Sequence, residues 1–244
     1  MNDWSNNYES GYQTAAQAEN EMTLQRYVAG VMRKVYGKMT LGLILTALTS
    51  YFVANNPTVL NLLFATRGIV WILMLAELGL VFFLCARIDK LSTGTATVMF
   101  YIYSLLTGLS LAPIFLIYTG ASIAKTFAIT AVTFGSMTLY GYTTRQDLSK
   151  FGSILIMALI GLIVSVLVNV LLLHSPMFDL IISIVGVLIF VGLTAWDTQS
   201  IKRMCAIADP STMGKIATMG ALSLYLDFIN LFLYLLRFFG GSRN

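Results

Sequence analysis

Glu77, Asp197 and Asp227 fall within or at the edge of long apolar runs, and Arg87 and Arg237 stand at the ends of two such runs. An ionisable group in hydrocarbon costs about 2.5–3.5 kcal/mol on insertion scales, so a functional reading is the default for each. Asp227 is the strongest case because it belongs to a stripe. At ~100° per residue, Gly220, Ser223, Asp227, Asn230, Tyr234 and Arg237 fall within a sector of about 100° on one helix. Leu224, Phe228, Leu231, Leu235 and Phe239 take the other faces. A polar face of this length must look at water or at protein groups, which places the last helix inside a bundle. Asp197 closes the sixth apolar run in LTAWDTQSIKRM (193–204), and Asp227 lies roughly 18 Å past Lys215 along its helix. If the end of the sixth helix tilts inward, the two carboxyls meet. Two close carboxylates do not both ionise cheaply, so such a pair shares a proton. Protonation would then loosen any Arg or Lys contact closing the cytoplasmic mouth, which makes the pair a candidate pH-sensing gate. The plainer alternative is that Asp197 caps backbone or pairs with Lys202 at a wet helix end. Glu77 has no stripe of its own, so its partner must come from another helix, with Arg237 or Arg87 as the available cations. Glu77 and Arg87 lie ten residues apart on one helix, about 15 Å, too far to pair directly.

The elements that must position these groups are membrane spans. The chain has 244 residues, 57% of them hydrophobic and only 11% charged, where a soluble domain carries about 25% charged residues. Apolar runs at 39–54, 69–86, 96–118, 123–142, 152–173, 177–196 and 216–236 predict seven transmembrane helices in one all-α integral membrane domain covering 26–244. Residues 1–25 read as a polar, mobile tail without the apolar core of a cleaved signal. Residues 22–35 have helical apolar spacing and form either a surface-lying amphipathic helix or the start of the first span. Lys38 is expected to snorkel, Pro113 to kink the third helix or free its carbonyls, and Ala131 and Gly135 to allow close helix packing. With a cytoplasmic N-terminus, eleven Lys and Arg fall on cytoplasmic segments against Arg67, Lys125, Arg237 and Arg243 opposite, which follows the positive-inside bias. The net charge of +4 is therefore topology and not nucleic-acid binding. Cys85 and Cys205 fall near the cytoplasmic side, where thiols stay reduced.

Three stretches carry a resemblance to a known family: 107–152, the Asp-Thr-Gln of LTAWDTQSIKRM, and the Leu-Tyr-Leu-Asp-Phe-Ile-Asn of ALSLYLDFINLFLYLLRFFG (221–240). Together they resemble the Bax inhibitor-1, or transmembrane Bax-inhibitor-motif, family in a bacterial form, from about Arg33 onward. The resemblance implies a seven-helix bundle with a central last helix, acting as a pH-sensitive calcium leak in the bacterial plasma (inner) membrane. The family's paired aspartates match Asp197 and Asp227, and its intramembrane Glu and Arg match Glu77, Arg87 and Arg237. Eukaryotic relatives are associated with suppression of cell death, and some bacterial ones with restraint of a membrane-bound AAA protease. The alternative function is accordingly a regulator that binds another membrane protein without transport.

Calcium prefers 6 to 8 oxygen ligands, so Asp197 and Asp227, helped by Glu77, Ser223, Asn230 and carbonyls near Pro113, offer a weak transit site only. No bound cofactor is expected. An enzymatic reading is weaker. Intramembrane aspartyl proteases carry Tyr-Asp and Gly-x-Gly-Asp, whereas this chain has Trp196-Asp197 and Leu226-Asp227. Ser122 lacks the second glycine of a nucleophile elbow, and the single histidine, His174, lies in a short loop. One His and two Cys do not furnish a zinc or haem site, and the twelve Met are scattered as packing residues.

Overall fold

A computed structural model describes residues 3–64 and 67–241, with side chains for 21–64 and 68–241. It is helical throughout, with no strand beyond an isolated bridge among the described residues. The helices are α1 (Asp3–Ala54), α2 (Pro57–Phe64), α3 (Arg67–Arg87), α4 (Thr93–Leu111), α5 (Ile114–Ile117), α6 (Gly120–Thr143), α7 (Ser149–Val168), α8 (Pro176–Ile207) and α9 (Met213–Phe239). Starts follow local chemistry. Ser92, Thr119 and Ser175 each accept a hydrogen bond from the backbone N–H three residues on, and Pro176 occupies the first turn of α8. His174 ends the turn after α7 in a left-handed conformation (φ 48°), its N–H bonded to Asn169 O.

Six described helical segments are long and apolar enough to cross a membrane. The expected span at 123–142 is a 24-residue helix, α6, but it is not among the six. Lys125 and the hydroxyls of Thr126, Thr130, Thr133, Ser136 and Thr138 dilute its apolar character. It nonetheless packs on α8 and α9 within the bundle.

The last helix is central. It packs against α1, α4, α6 and α8, and 61% of its most apolar window is buried in the protein, against 11% for α3 and for α7. Val28, Val31, Met32, Val35 and Met39 of α1 are buried in the core, so 22–35 is part of the first bundle helix and does not lie on the membrane surface. Residues 3–25 of the expected tail form the backbone start of α1, while residues 1–2 lie outside the described residues. Lys38 does not snorkel. Its Nζ donates to Thr97 Oγ1 (2.7 Å) and Thr218 Oγ1 (2.6 Å), where α1, α4 and α9 meet. Buried hydroxyls elsewhere fold back onto their own helix: Thr130 on Thr126 O, Thr194 on Phe190 O and Thr198 on Thr194 O. That bond lets a threonine enter an apolar seam without leaving an unmatched donor.

Close approach occurs at glycines other than the expected one. Ala131 and Gly135 are exposed, and a Cβ at Gly135 would meet nothing within 4 Å. The tight seam is α6 on α8, where a Cβ at Gly141 would stand 2.2 Å from Ala195 O, a backbone atom that cannot rotate away. Gly141→Ala is expected to destabilise the protein by about 1–3 kcal/mol, as overpacking does. Gly135→Ala should be neutral or stabilising by up to about 1 kcal/mol. Reversible unfolding in mixed micelles checks both, and equal effects would contradict this packing.

Candidate functional site: an acidic cavity beside the central helix

The stripe on α9 borders a cavity of about 560 Å³ between α3, α4, α7, α8 and α9. Ser223, Asp227, Asn230 and Tyr234 line it from α9, Asp197 from α8, Glu77 from α3 and Tyr103 from α4. Helix α7 adds only apolar side chains, and no Lys, Arg or His borders the space.

The two aspartates meet. Their carboxyl groups face each other closely enough to interact directly, a contact that two ionised carboxylates resist. The Ser223 hydroxyl donates to Asp197 Oδ2. Asp227 is 4% exposed, and its Oδ2 has no hydrogen-bond partner among the described residues. The pair arises because α8 continues ten residues beyond Asp197 to Ile207, about 15 Å of helix. Asp197 is therefore a mid-helix residue facing α9 and not a wet helix end. Lys202 does not pair with it: its Nζ donates to Tyr142 O (2.8 Å) and lies 4.8 Å from the Tyr142 ring centre. The expected cation contact on the pair is thus absent among the described residues.

Glu77 also finds a different partner from the one expected. Its carboxylate accepts from the Ser110 hydroxyl of α4. Arg237 instead bridges Asp179 at the start of α8 (3.2 Å) and lies 5.7 Å from the Tyr234 ring centre. Arg87 is exposed at the end of α3 and does not line the cavity. Asn230 donates to Leu226 O (2.8 Å), and Tyr234 stacks on Phe190. Pro113 separates α4 from α5, and its neighbouring carbonyls bond the following turn instead of facing this cavity. Among the described residues no three Asp, Glu, His or Cys side chains gather closely enough to hold a metal ion together. The acidic set is an Asp pair with Glu77 apart from it.

Residue-type reasoning passed over the polar side of α4. Tyr103, Thr107 and Ser110 recur at helical spacing, and that spacing is the signal that could have found them. The Thr107 hydroxyl donates to Tyr103 O within α4, and Thr46 Oγ1 of α1 is 2.6 Å from the Tyr225 hydroxyl of α9 and 2.8 Å from Ser104 O of α4. These hydroxyls tie α1, α4 and α9 together behind Glu77.

The pattern of the family described as "Inhibitor of apoptosis-promoting Bax1" matches residues 28–244. The chain belongs to this Bax inhibitor family. Similar family proteins include "Inner membrane protein YbhL" of Escherichia coli strain K12, 51% identical over 223 residues, covering 90% of this chain and 93% of that protein. An uncharacterized protein of Borreliella burgdorferi is 46% identical over 215 residues, covering 87% of this chain and 92% of its own length. An uncharacterized membrane protein of Streptococcus pyogenes serotype M1 is 36% identical, covering 86% and 91%. This Bax inhibitor family chain is a multi-pass membrane protein. Both its cysteines are free, Cys85 exposed and Cys205 buried.

Arg203, near the end of α8, bridges Asp147 (2.6 Å) and also donates to Ser149 Oγ and Gln199 Oε1. Gln199 in turn accepts from Leu148 N and donates to Gln146 O. The Ser149 N–H and the Arg203 guanidinium hold the Asp147 carboxyl down at about 2. Because this folded-state value is depressed, the stabilising contribution is complete above the ordinary carboxyl range and lost as pH falls through about 2. Asp147→Asn should therefore lower the melting temperature at pH 7, with the difference shrinking as pH falls toward 2 and vanishing below it. Melting curves against pH check this, and a difference that persists at the acid end would refute it.

Proposed function

We propose that this protein is a pH-sensitive cation leak, with calcium as an ion it passes, gated by the Asp197 and Asp227 pair. The observation that carries the reading is the close approach of the Asp197 and Asp227 carboxyls, buried between α8 and α9 and bordering a sizeable cavity. A proton shared between them relieves the repulsion of that contact. At ~3 Å and an effective dielectric near 20, two carboxylates repel by about 5 kcal/mol. Loss of the proton therefore pushes α8 and α9 apart at that point and leaves two negative charges facing the cavity. The remaining titratable groups there are Glu77 of α3, Tyr103 of α4 and Tyr234 of α9; α7 contributes none. With two carboxyls in contact and a third apart, the site binds a divalent cation weakly, as passage requires and storage does not.

The remaining features of this reading are that α6 crosses as the seventh span, that the Lys- and Arg-rich end is cytoplasmic along with the N-terminus, and that the membrane is a bacterial inner membrane. The E. coli relative's name and the positive-inside bias support this placement.

Calcium flux into liposomes carrying the purified protein, between pH 5 and 8, tests the proposal against Asp197→Asn plus Asp227→Asn. Wild type should show a flux above empty liposomes that changes with pH, and the double variant a flux that does not. A folded wild type with no flux would remove the leak, and regulation of another membrane protein by binding would take its place.

A further inference from the structure

The cavity has a second property that ion passage does not use: its mouth faces the bilayer. Met74 and Leu78 of α3 and Ile156 and Ile163 of α7 line the cavity and are also 53%, 55%, 42% and 52% exposed. All four fall near the middle of the spans Gly68–Lys90 and Ser149–Leu173. Helix α3 packs on α4, and α7 packs on α8, so the cavity lies between two helices that each lean on a different neighbour. A side opening at this depth meets acyl chains and not water.

We propose that this mouth admits a membrane-dissolved, single-chain amine, whose hydrocarbon tail lies along α3 and α7 and whose nitrogen reaches the carboxyls. Three observations fix the chemical class. The space, about 560 Å³, is in the range of a small-molecule site, mostly apolar with a few convergent polar groups. Its charged groups are all acidic: Glu77, Asp197 and Asp227. Asp227 Oδ2 is buried without a hydrogen-bond partner among the described residues, an acceptor waiting for a donor. A neutral amine crosses hydrocarbon without the cost of a bare ammonium. Once inside, it takes the proton shared by the two aspartates, breaking the carboxyl O–H bond and forming N–H. The result is an ammonium against carboxylates, with no net charge moved into the membrane. The inference stands apart from ion passage, because it needs only the cavity and its mouth.

Trp196 lines the cavity, whereas Trp71 is 61% exposed on α3 away from it. In nanodiscs of a single zwitterionic lipid, W4F/W71F leaves Trp196 as reporter and W4F/W196F leaves Trp71. A long-chain primary amine brominated in its tail should quench Trp196 saturably and be competed off by the unbrominated amine. The brominated alcohol of the same chain should give only the unsaturable quenching seen at Trp71. Combining W4F/W71F with E77Q and D227N should weaken the amine's half-saturation at least ten-fold. M74F with I163F, which narrows the mouth without touching a carboxyl, should slow the onset several-fold. Equal saturable quenching by amine and alcohol, or none by either, would overturn the proposal, as would indifference of a folded protein to both sets of substitutions. Amine binding in a protein that shows no calcium flux would sink the leak and leave this inference standing.

Discussion

The bilayer core supplies no hydrogen bonds, so each carboxyl this chain carries at mid-span must be matched inside the bundle. That demand organises the structure. Asp227 can be buried because α9 is wrapped by α1, α4, α6 and α8, and on the proposed reading because Asp197 arrives from α8 to share its proton. Glu77 can face the cavity because Ser110 stands opposite on α4. Replacing two charges by one across a shared proton removes a repulsion of about 5 kcal/mol, comparable to the whole stability of a small domain. The same proton makes the contact conditional, which a purely apolar seam would not be.

Packing on the other faces keeps the pair where it is. Thr130 of α6 and Thr194 and Thr198 of α8 bond their own helices and so bring polar groups into the seam with their donors used, and Gly141 lets α6 close to within backbone contact of α8. The hydroxyls of Thr46 and Tyr225, with Ser104 O, do the corresponding work where α1, α4 and α9 meet. The two helices least committed to the core, α3 and α7, are those that border the cavity's open side. Rigidity and access are thus divided between opposite faces of one central helix.

The central position of α9 was legible because a polar stripe in an apolar run has one physical outcome, burial against protein. The meeting of Asp197 with Asp227 was legible as a possibility, and its reason was not: Lys202 and Arg203 read as the end of a span, whereas α8 keeps its helical geometry beyond the apolar run. Cross-helix partners were the least legible. Arg237 and Glu77 have opposite charges, but their elements place Arg237 beside Asp179 and Glu77 beside Ser110. Lys38 turned inward because two threonines on α4 and α9 offered acceptors that no single-helix pattern displays. Small residues four apart marked α6 as a packing helix but pointed to the wrong face, since Gly135 looks outward and Gly141 inward. Spacing along one helix encodes which residues share a face; which helix meets that face is decided by the whole bundle.

The central claim is that Asp197 and Asp227 hold one proton between them. Infrared difference spectroscopy of the reconstituted protein at neutral pH reads it directly, through the carbonyl stretch of a protonated carboxyl. The account predicts such a band in wild type, and its loss in both Asp197→Asn and Asp227→Asn, since either substitution removes one of the two carboxyls that share the proton. A wild-type spectrum without the band, or one that both variants leave untouched, would contradict the account.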